Sequence, residues 1–342
     1  MIHLLFHSSI ISCANYICAL LSNSHSHERL PVRRYDMTES GRITPVEPNI
    51  YYLDSRKISS FGVSGIYILV GDGLTLIETG TSLIGPDILE ALTEIGYHKR
   101  DIKRAIVTHI HLDHAGATGW LVQRVPDMKV YVHERGARHL LDPSKLIKSA
   151  ETVYGSLDNI LALHGEILPV PDENLVPVSN MELNIGGGVS LKLFEAPGHA
   201  THHICLFEPQ TGCLFSGEAL GHYIPELELL SPAVAPPGFD LEASKETSKR
   251  IRELNPRTIC FSQFGQHRDP IFVIEESERQ LDFYYEIITT RLEQGSDPDQ
   301  IIEEILKDLS KQESTYQQGH RSTLISMVYG FETYHRRMRK IQ

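Results

Sequence analysis

Residues 108–116, THIHLDHAG, carry three histidines and an aspartate within six positions. His109, His111, Asp113 and His114 fall where a strand-like run, KRAIVT, gives way to a helix-like run starting near His114. A packed core tolerates such crowding only when the charges have partners, and a solvated surface has no need of it. Any one of the eighteen histidines is by default an ordinary surface or core residue. Four ligand-type side chains in six positions reverse that expectation. Alternation along the extended segment puts His109 and His111 on one face, and Asp113 and His114 approach from the first helical turn. Imidazole and carboxylate groups converging in this way suit zinc, with iron or manganese as alternatives, and predict one or two hydrated ions.

The spacing His109-x-His111-x-Asp113-His114 resembles the HxHxDH motif of the metallo-β-lactamase superfamily, and the resemblance spans residues 50 to 270. APGHATHH supplies His199 where that family has a metal-binding histidine after a glycine. LFSGEAL supplies Glu218 where the family usually has a bridging aspartate, and LTLIETG resembles its early strand, with Glu78 in place of aspartate. The resemblance implies an α/β (α+β) fold, an αββα sandwich with metals at one edge of its paired sheets. It further implies that His109, His111 and His199 hold a first metal, Asp113 and His114 a second, with Glu218 between them. The family's last ligand, usually a histidine in an SHFG-like segment, falls in CFSQFG at Gln263. A neutral amide oxygen is a poorer ligand than imidazole, and Glu218 adds a methylene, so the second position is expected to bind weakly. His267, four residues on, substitutes only if the loop bends back.

The chemistry implied is metal-assisted hydrolysis, because a zinc-bound water has a pKa of about 7 and yields hydroxide near neutrality. Asp113 would orient that nucleophile and pass its proton to the leaving group. Tyr223, in GEALGHYIPE, is a candidate donor to a developing oxyanion, with packing on a loop as its plainer role. A helical tail after the metal domain resembles the glyoxalase II branch, which puts thioesters first as substrates and lactones next. Persulfide dioxygenases share the fold and use one iron held by two histidines and a carboxylate, for which His109, His199 and Glu218 would serve. Some nucleases also carry HxHxDH, but a formal net charge of −12 and a pI of 5.8 disfavour a phosphate-binding surface. Small molecules are therefore the expected partners, not nucleic acid. The non-enzymatic alternative is a binding protein that kept the fold and lost catalysis, motivated by Glu218 and Gln263.

Hydrophobic patterning predicts the elements that position these residues. NIYYLD, GIYILVGDG and LTLIETG read as neighbouring strands divided by Gly and Asp turns. DILEALTEIG has helical spacing and ends on Gly96, and IKRAIVTH returns to strand character. The order repeats, with a helix over HAGATGWLVQRV and a strand at KVYVHE. Helices and loops are expected from 136 to 175. Strands follow in MELNIGGGVSLKLFE and in HHICLFEPQTGCLFSG, with a turn at Pro209 to Gly212; a helix at LEASKETSKRIREL and a strand at TICFSQFG close the region. After Pro270 come three amphipathic helical patterns, the second opened by Asp297 and Pro298 as cap and first-turn residue.

A chain of 342 residues, 41% hydrophobic, can bury one large core and a smaller appendage. The expected organisation is a leader over 1–36, a metal-binding domain over 37–270 and an α-helical extension over 271–342. The leader segment IHLLFHSSIISCANYICALL lacks a basic flank and is interrupted by His7, Ser8, Ser9 and Asn15. It reads as a disordered leader or mis-assigned start, and no membrane span is expected. Cys13, Cys18, Cys205, Cys213 and Cys260 form no CxxC pair, which suits buried thiols in a cytoplasmic protein. A chain beginning at Met37 should stay folded with unchanged metal content; loss of solubility or of metal on that truncation would show that the leader packs on the domain.

Overall fold

The protein is described by a computed structural model over residues 41–57, 59, 63–224, 229–310 and 319–340. The expected leader, with Cys13 and Cys18, lies outside the described residues.

Two sheets form the frame. The first contains β1 (Ile43–Glu47), β2 (Ile50–Asp54), β3 (Gly65–Val70), β4 (Leu74–Ile77), β5 (Ile102–Ile106), β6 (Lys129–His133) and β7 (Leu175–Val178), in that spatial order. Its strands pair antiparallel as far as β4, and β4 through β7 run parallel. The second contains β8 (Met181–Gly186), β9 (Val189–Glu195), β10 (Ile204–Glu208) and β11 (Cys213–Gly217). After a separate pair, β12 (His222–Ile224) and β13 (Leu229–Ser231), it is completed by β14 (Thr258–Phe261) and β15 (Gln266–His267). Within it β11 and β14 are parallel, and the other pairs are antiparallel.

Successive residues of the inner strands enter different cores. Tyr67 and Leu69 of β3 meet Leu206, Phe215 and Cys260 between the sheets, whereas Ile66 and Ile68 face helices outside. On β10, Ile204 and Leu206 point between the sheets and Cys205 and Phe207 point outward. Strands covered on both faces are apolar throughout, which is why GIYIL and ICLF show no polar alternation. The first sheet is covered by α1 (Gly85–Ala91), α3 (Thr118–Arg124) and α4 (Glu134–Leu141), the second by α7 (Leu241–Glu253) and the start of α8 (Pro270–Glu293). This is the expected αββα sandwich.

Three local departures have physical causes. The single helix expected over 114–125 is broken into α2 (Leu112–Ala115) and α3, because the Ala117 N–H donates to Gly80 O (2.9 Å). Between 136 and 175 the chain forms α4, α5 (Ser144–Tyr154) and α6 (Leu157–His164) and then adds β7. Both β1 and β7 are edge strands carrying a proline, Pro45 and Pro177, which weakens their signal in the sequence.

Beyond the sandwich, α8, α9 (Pro298–Ser310) and α10 (Gly319–Arg339) build a core of their own around Ile288, Ile302, Val328 and Phe331, into which Val234 and Phe239 also pack. The expected cap of α9 is present, with Gln300 N–H donating to Asp297 Oδ1 (2.9 Å) and Asp297 N–H to Gln300 Oε1 (3.0 Å). Cys205, Cys213 and Cys260 are buried free thiols. Among the described residues no helix is long and apolar enough to cross a membrane. Leu206→Ala, which empties a fully buried site between the sheets, should cost about 2–5 kcal/mol in denaturant unfolding.

Candidate metal centre

The connections leaving the C-terminal ends of β4, β5, β9, β11 and β14 carry Glu78, His109, His199, Glu218 and Gln263 respectively. Parallel pairing of β4 with β5 and of β11 with β14 brings these ends to one edge of the sandwich. Open sheets with parallel strands commonly present their sites at such an edge. The expected ligands of the first position meet there: atoms of His109, His111, His199 and Glu218 all lie within 4.8 Å of one another.

Hydrogen bonds set the state of each imidazole. Thr108 Oγ1 donates to Glu78 Oε1 (2.5 Å), so it accepts from His109 Nδ1 (3.0 Å) and leaves His109 Nε2 with a lone pair. His199 Nδ1 donates to Ala233 O (2.9 Å), which turns its Nε2 inward. His111 Nδ1 stands 3.0 Å from both of these nitrogens. Glu218 Oε2 is 2.7 Å from His199 Nε2 and 3.4 Å from His109 Nε2. Ligands on a tetrahedral zinc at a bond length of about 2.0 Å stand about 3.3 Å apart, so this donor set fits a divalent ion.

A second group is formed by Asp113, His114 and Glu218. His114 Nε2 lies 3.2 Å from Asp113 Oδ2 and 3.6 Å from Glu218 Oε1, and neither of its buried ring nitrogens has a hydrogen-bond partner. A buried ring whose nitrogens face carboxylates without bonding them fits a metal-ligand position. Gln263 is placed beside this group, but its Nε2 donates to Asp113 Oδ2 (2.8 Å), so in this arrangement it holds a ligand instead of offering its oxygen.

Two other expected participants are engaged elsewhere. Tyr223 is buried, its ring stacked on Phe261 at 5.4 Å and edge-on to His267. His267 lies on β15, where its Nδ1 accepts from the Asp269 N–H (3.1 Å) and its ring packs against Tyr223 and Phe272.

Several residues given no role in the sequence complete the centre. Glu78 is fully buried with φ +68°, a left-handed conformation rare outside glycine. It accepts from the Thr108 N–H (3.2 Å) and Ser262 Oγ (2.6 Å), and lies 3.4 Å from His114 Nδ1. His222 Nε2 lies 2.5 Å from Glu218 Oε1, and the Glu218 N–H donates to His203 Nε2 (3.1 Å). Gly217, at φ +56°, has no room for a side chain, since a Cβ would stand 2.5 Å from His203 Nε2. The available signal was the spacing of His222 four residues after Glu218; nothing local marks His203.

The charges fit a cation. Burial holds His109 neutral and pushes His111 down to about 4, so both keep a lone pair at neutral pH. Burial also disfavours charge on His114, but the surrounding Asp113, Glu218 and Glu78 carboxylates raise it well above the ordinary histidine range. Asp113 and Glu218 experience the converse: burial pushes them up, and neighbouring imidazoles overcome it and hold them ionised. Three carboxylates around one ring call for positive charge, which a divalent ion would supply.

The family model of the metallo-beta-lactamase superfamily matches residues 60–263. The chain belongs to this superfamily. Protein ST1585 of Sulfurisphaera tokodaii, described as metallo-beta-lactamase fold-containing, is 28% identical over 207 residues, covering 59% of this chain and 73% of the relative. The solved structure of TTHA1429 from Thermus thermophilus, a metallo-beta-lactamase family protein, superposes with a TM-score of 0.64 over 86% of this chain and 95% of its own. At 20% identity that likeness speaks for the fold. Thioesterase pkgB of Emericella nidulans is 25% identical over 156 residues, 45% of this chain, and the match covers about a third of its length, 35%. If His109, His111 and His199 hold an ion, His109→Ala or His199→Ala should deplete it, measured by elemental analysis. Full metal retention in either variant would sink the assignment.

Proposed function

We propose that the protein is a metal-dependent hydrolase of a small ester-like substrate, with thioesters first and lactones second. The observation that carries this reading is the placing of Asp113. Its side chain is 24% exposed, while its neighbours His109, His114 and Glu218 are buried, so a carboxylate stands at the open rim of a closed ligand cluster. A bound divalent ion supplies Lewis acidity and lowers the pKa of water. Asp113 orients the attacking water and carries its proton toward the leaving group. The Gln263 amide, donating to Asp113 Oδ2, fixes that carboxylate. His222 and the His203-bound backbone hold Glu218 between the two groups of ligands. The choice of thioester is supported by the similarity to thioesterase pkgB and by the helices following the sandwich. The acidic chain suits a small substrate over nucleic acid, and the buried free thiols suit the cytoplasm.

A panel of thioesters, lactones and generic esters, run on protein whose zinc, iron and manganese content has been measured, tests the proposal. Thioester turnover that rises with metal loading supports it. Iron-dependent oxygen uptake without ester turnover, or tight metal binding with no turnover at all, overturns it. Gln263→His should raise occupancy of the second position by restoring an imidazole, with turnover kept or increased. Lower turnover despite better loading would point to a one-metal reaction or to substrate filling the space beside residue 263.

A further inference from the structure

His199 is held from behind by a loop that is anchored to the sandwich at Asp240 and to the C-terminal helix along the rest of its length. Its Nδ1 donates to Ala233 O, and the segment from Ala233 to Asp240 belongs to neither sheet nor helix. The C-terminal helix α10 braces that segment. Ser326 Oγ donates to Val234 O (2.9 Å), the carbonyl next to the one that His199 uses. Gly330 lies against Val234 so closely that a Cβ would stand 2.6 Å from its Cγ1. Further along the helix, Arg337 Nη2 donates to Phe239 O (3.0 Å) and Asp240 Oδ2 (2.9 Å).

Asp240 then returns the chain to the metal centre. Its N–H donates to Gly198 O (2.8 Å), the residue before His199, and its Oδ1 caps α7 through the Ala243 N–H (3.0 Å). Two connected routes therefore run from α10 to one imidazole: Ser326 through the Ala233–Val234 peptides, and Arg337 through Asp240 and Gly198. Val234 and Phe239 are buried with Leu324, Met327, Val328 and Phe331, so the bonds are backed by apolar packing. The acceptor on a ligand's second ring nitrogen fixes tautomer and ring plane, and its loss typically lowers metal affinity about 10–100-fold.

We propose that α10 is the positioning element for His199, with Ser326 and Arg337 as its positioning residues, so that the helical extension sets the affinity of the first metal position. The proposal rests on the assignment of His109, His111 and His199 to that position. It gives the extension a role that does not require α10 to touch substrate.

The test is zinc binding to the full-length metal-free protein, read by chelator competition. His199→Ala identifies the step belonging to the first position. Ser326→Ala and Arg337→Ala leave the direct acceptor Ala233 O in place, so each should weaken that step on the order of a few-fold, less than the roughly 10–100-fold lost with a ligand's own hydrogen-bond partner. Ser326→Thr, which keeps the hydroxyl, should restore it, and Arg336→Ala, which removes an outward-facing neighbour paired with Glu332, should leave it unchanged. The His199 Nδ1 proton resonance should shift in Ser326→Ala and return in Ser326→Thr. Alanine favours helix over serine, so Ser326→Ala does not weaken α10 and decides the matter even if Arg337→Ala fails to fold. Wild-type zinc affinity in Ser326→Ala overturns the proposal. Wild-type affinity in His199→Ala overturns the metal assignment and the proposal with it.

Discussion

A carboxylate sealed from water has to be bonded on every side, and Glu78 meets that demand by drawing on both sheets. Thr108 follows β5 of the first sheet and Ser262 follows β14 of the second, and their hydroxyls donate to the same oxygen, Oε1. Through Thr108 the carboxylate fixes the tautomer of His109, and directly it faces His114. One buried carboxyl group therefore joins the edges of two sheets and contacts a histidine of each candidate ligand group. Its left-handed backbone, a conformation costing about 1–3 kcal/mol, persists because the surrounding bonds over-determine it.

The same constraint shapes the rest of the centre. Imidazoles buried without an ion would leave lone pairs unsatisfied, and their carboxylate neighbours would leave charge uncompensated. Of the departures from the usual ligand set, Glu218 belongs to both groups and lies against His222, and Gln263 turns its amide toward Asp113. The first group has three inward-facing nitrogens, and two of the rings are supported from behind, His109 by Thr108 and His199 by Ala233 O.

The helical extension is continuous with the centre in its bonding, not merely next to it in sequence. A loop without secondary structure carries the acceptor for His199, and such a loop is only as rigid as what packs on it. α10 supplies two side-chain donors and a glycine contact along one face. The extension and the sandwich thereby share a boundary at Val234 and Phe239.

Much was legible in the sequence alone. HxHxDH spacing, the glycine before His199, and the position of Glu218 are local patterns, and local patterns survive in a one-dimensional string. The inner strands were legible because burial on both faces makes them continuously apolar, and the Asp297–Pro298 start of α9 because a cap is a short-range bond. Edge strands β1 and β7 were not, since Pro45 and Pro177 contradict strand propensity and only pairing with a neighbour overrides it. The break between α2 and α3 depends on Gly80, 37 residues before Ala117. The packing of the Tyr223 ring on Phe261 likewise joins residues 38 apart in sequence. Residue types and spacings thus determined the family, the candidate ligand residues and most of the elements. Tertiary structure decided which tautomer each histidine adopts, what Gln263 does with its amide and how α10 reaches His199, because each depends on hydrogen bonds between residues far apart in sequence.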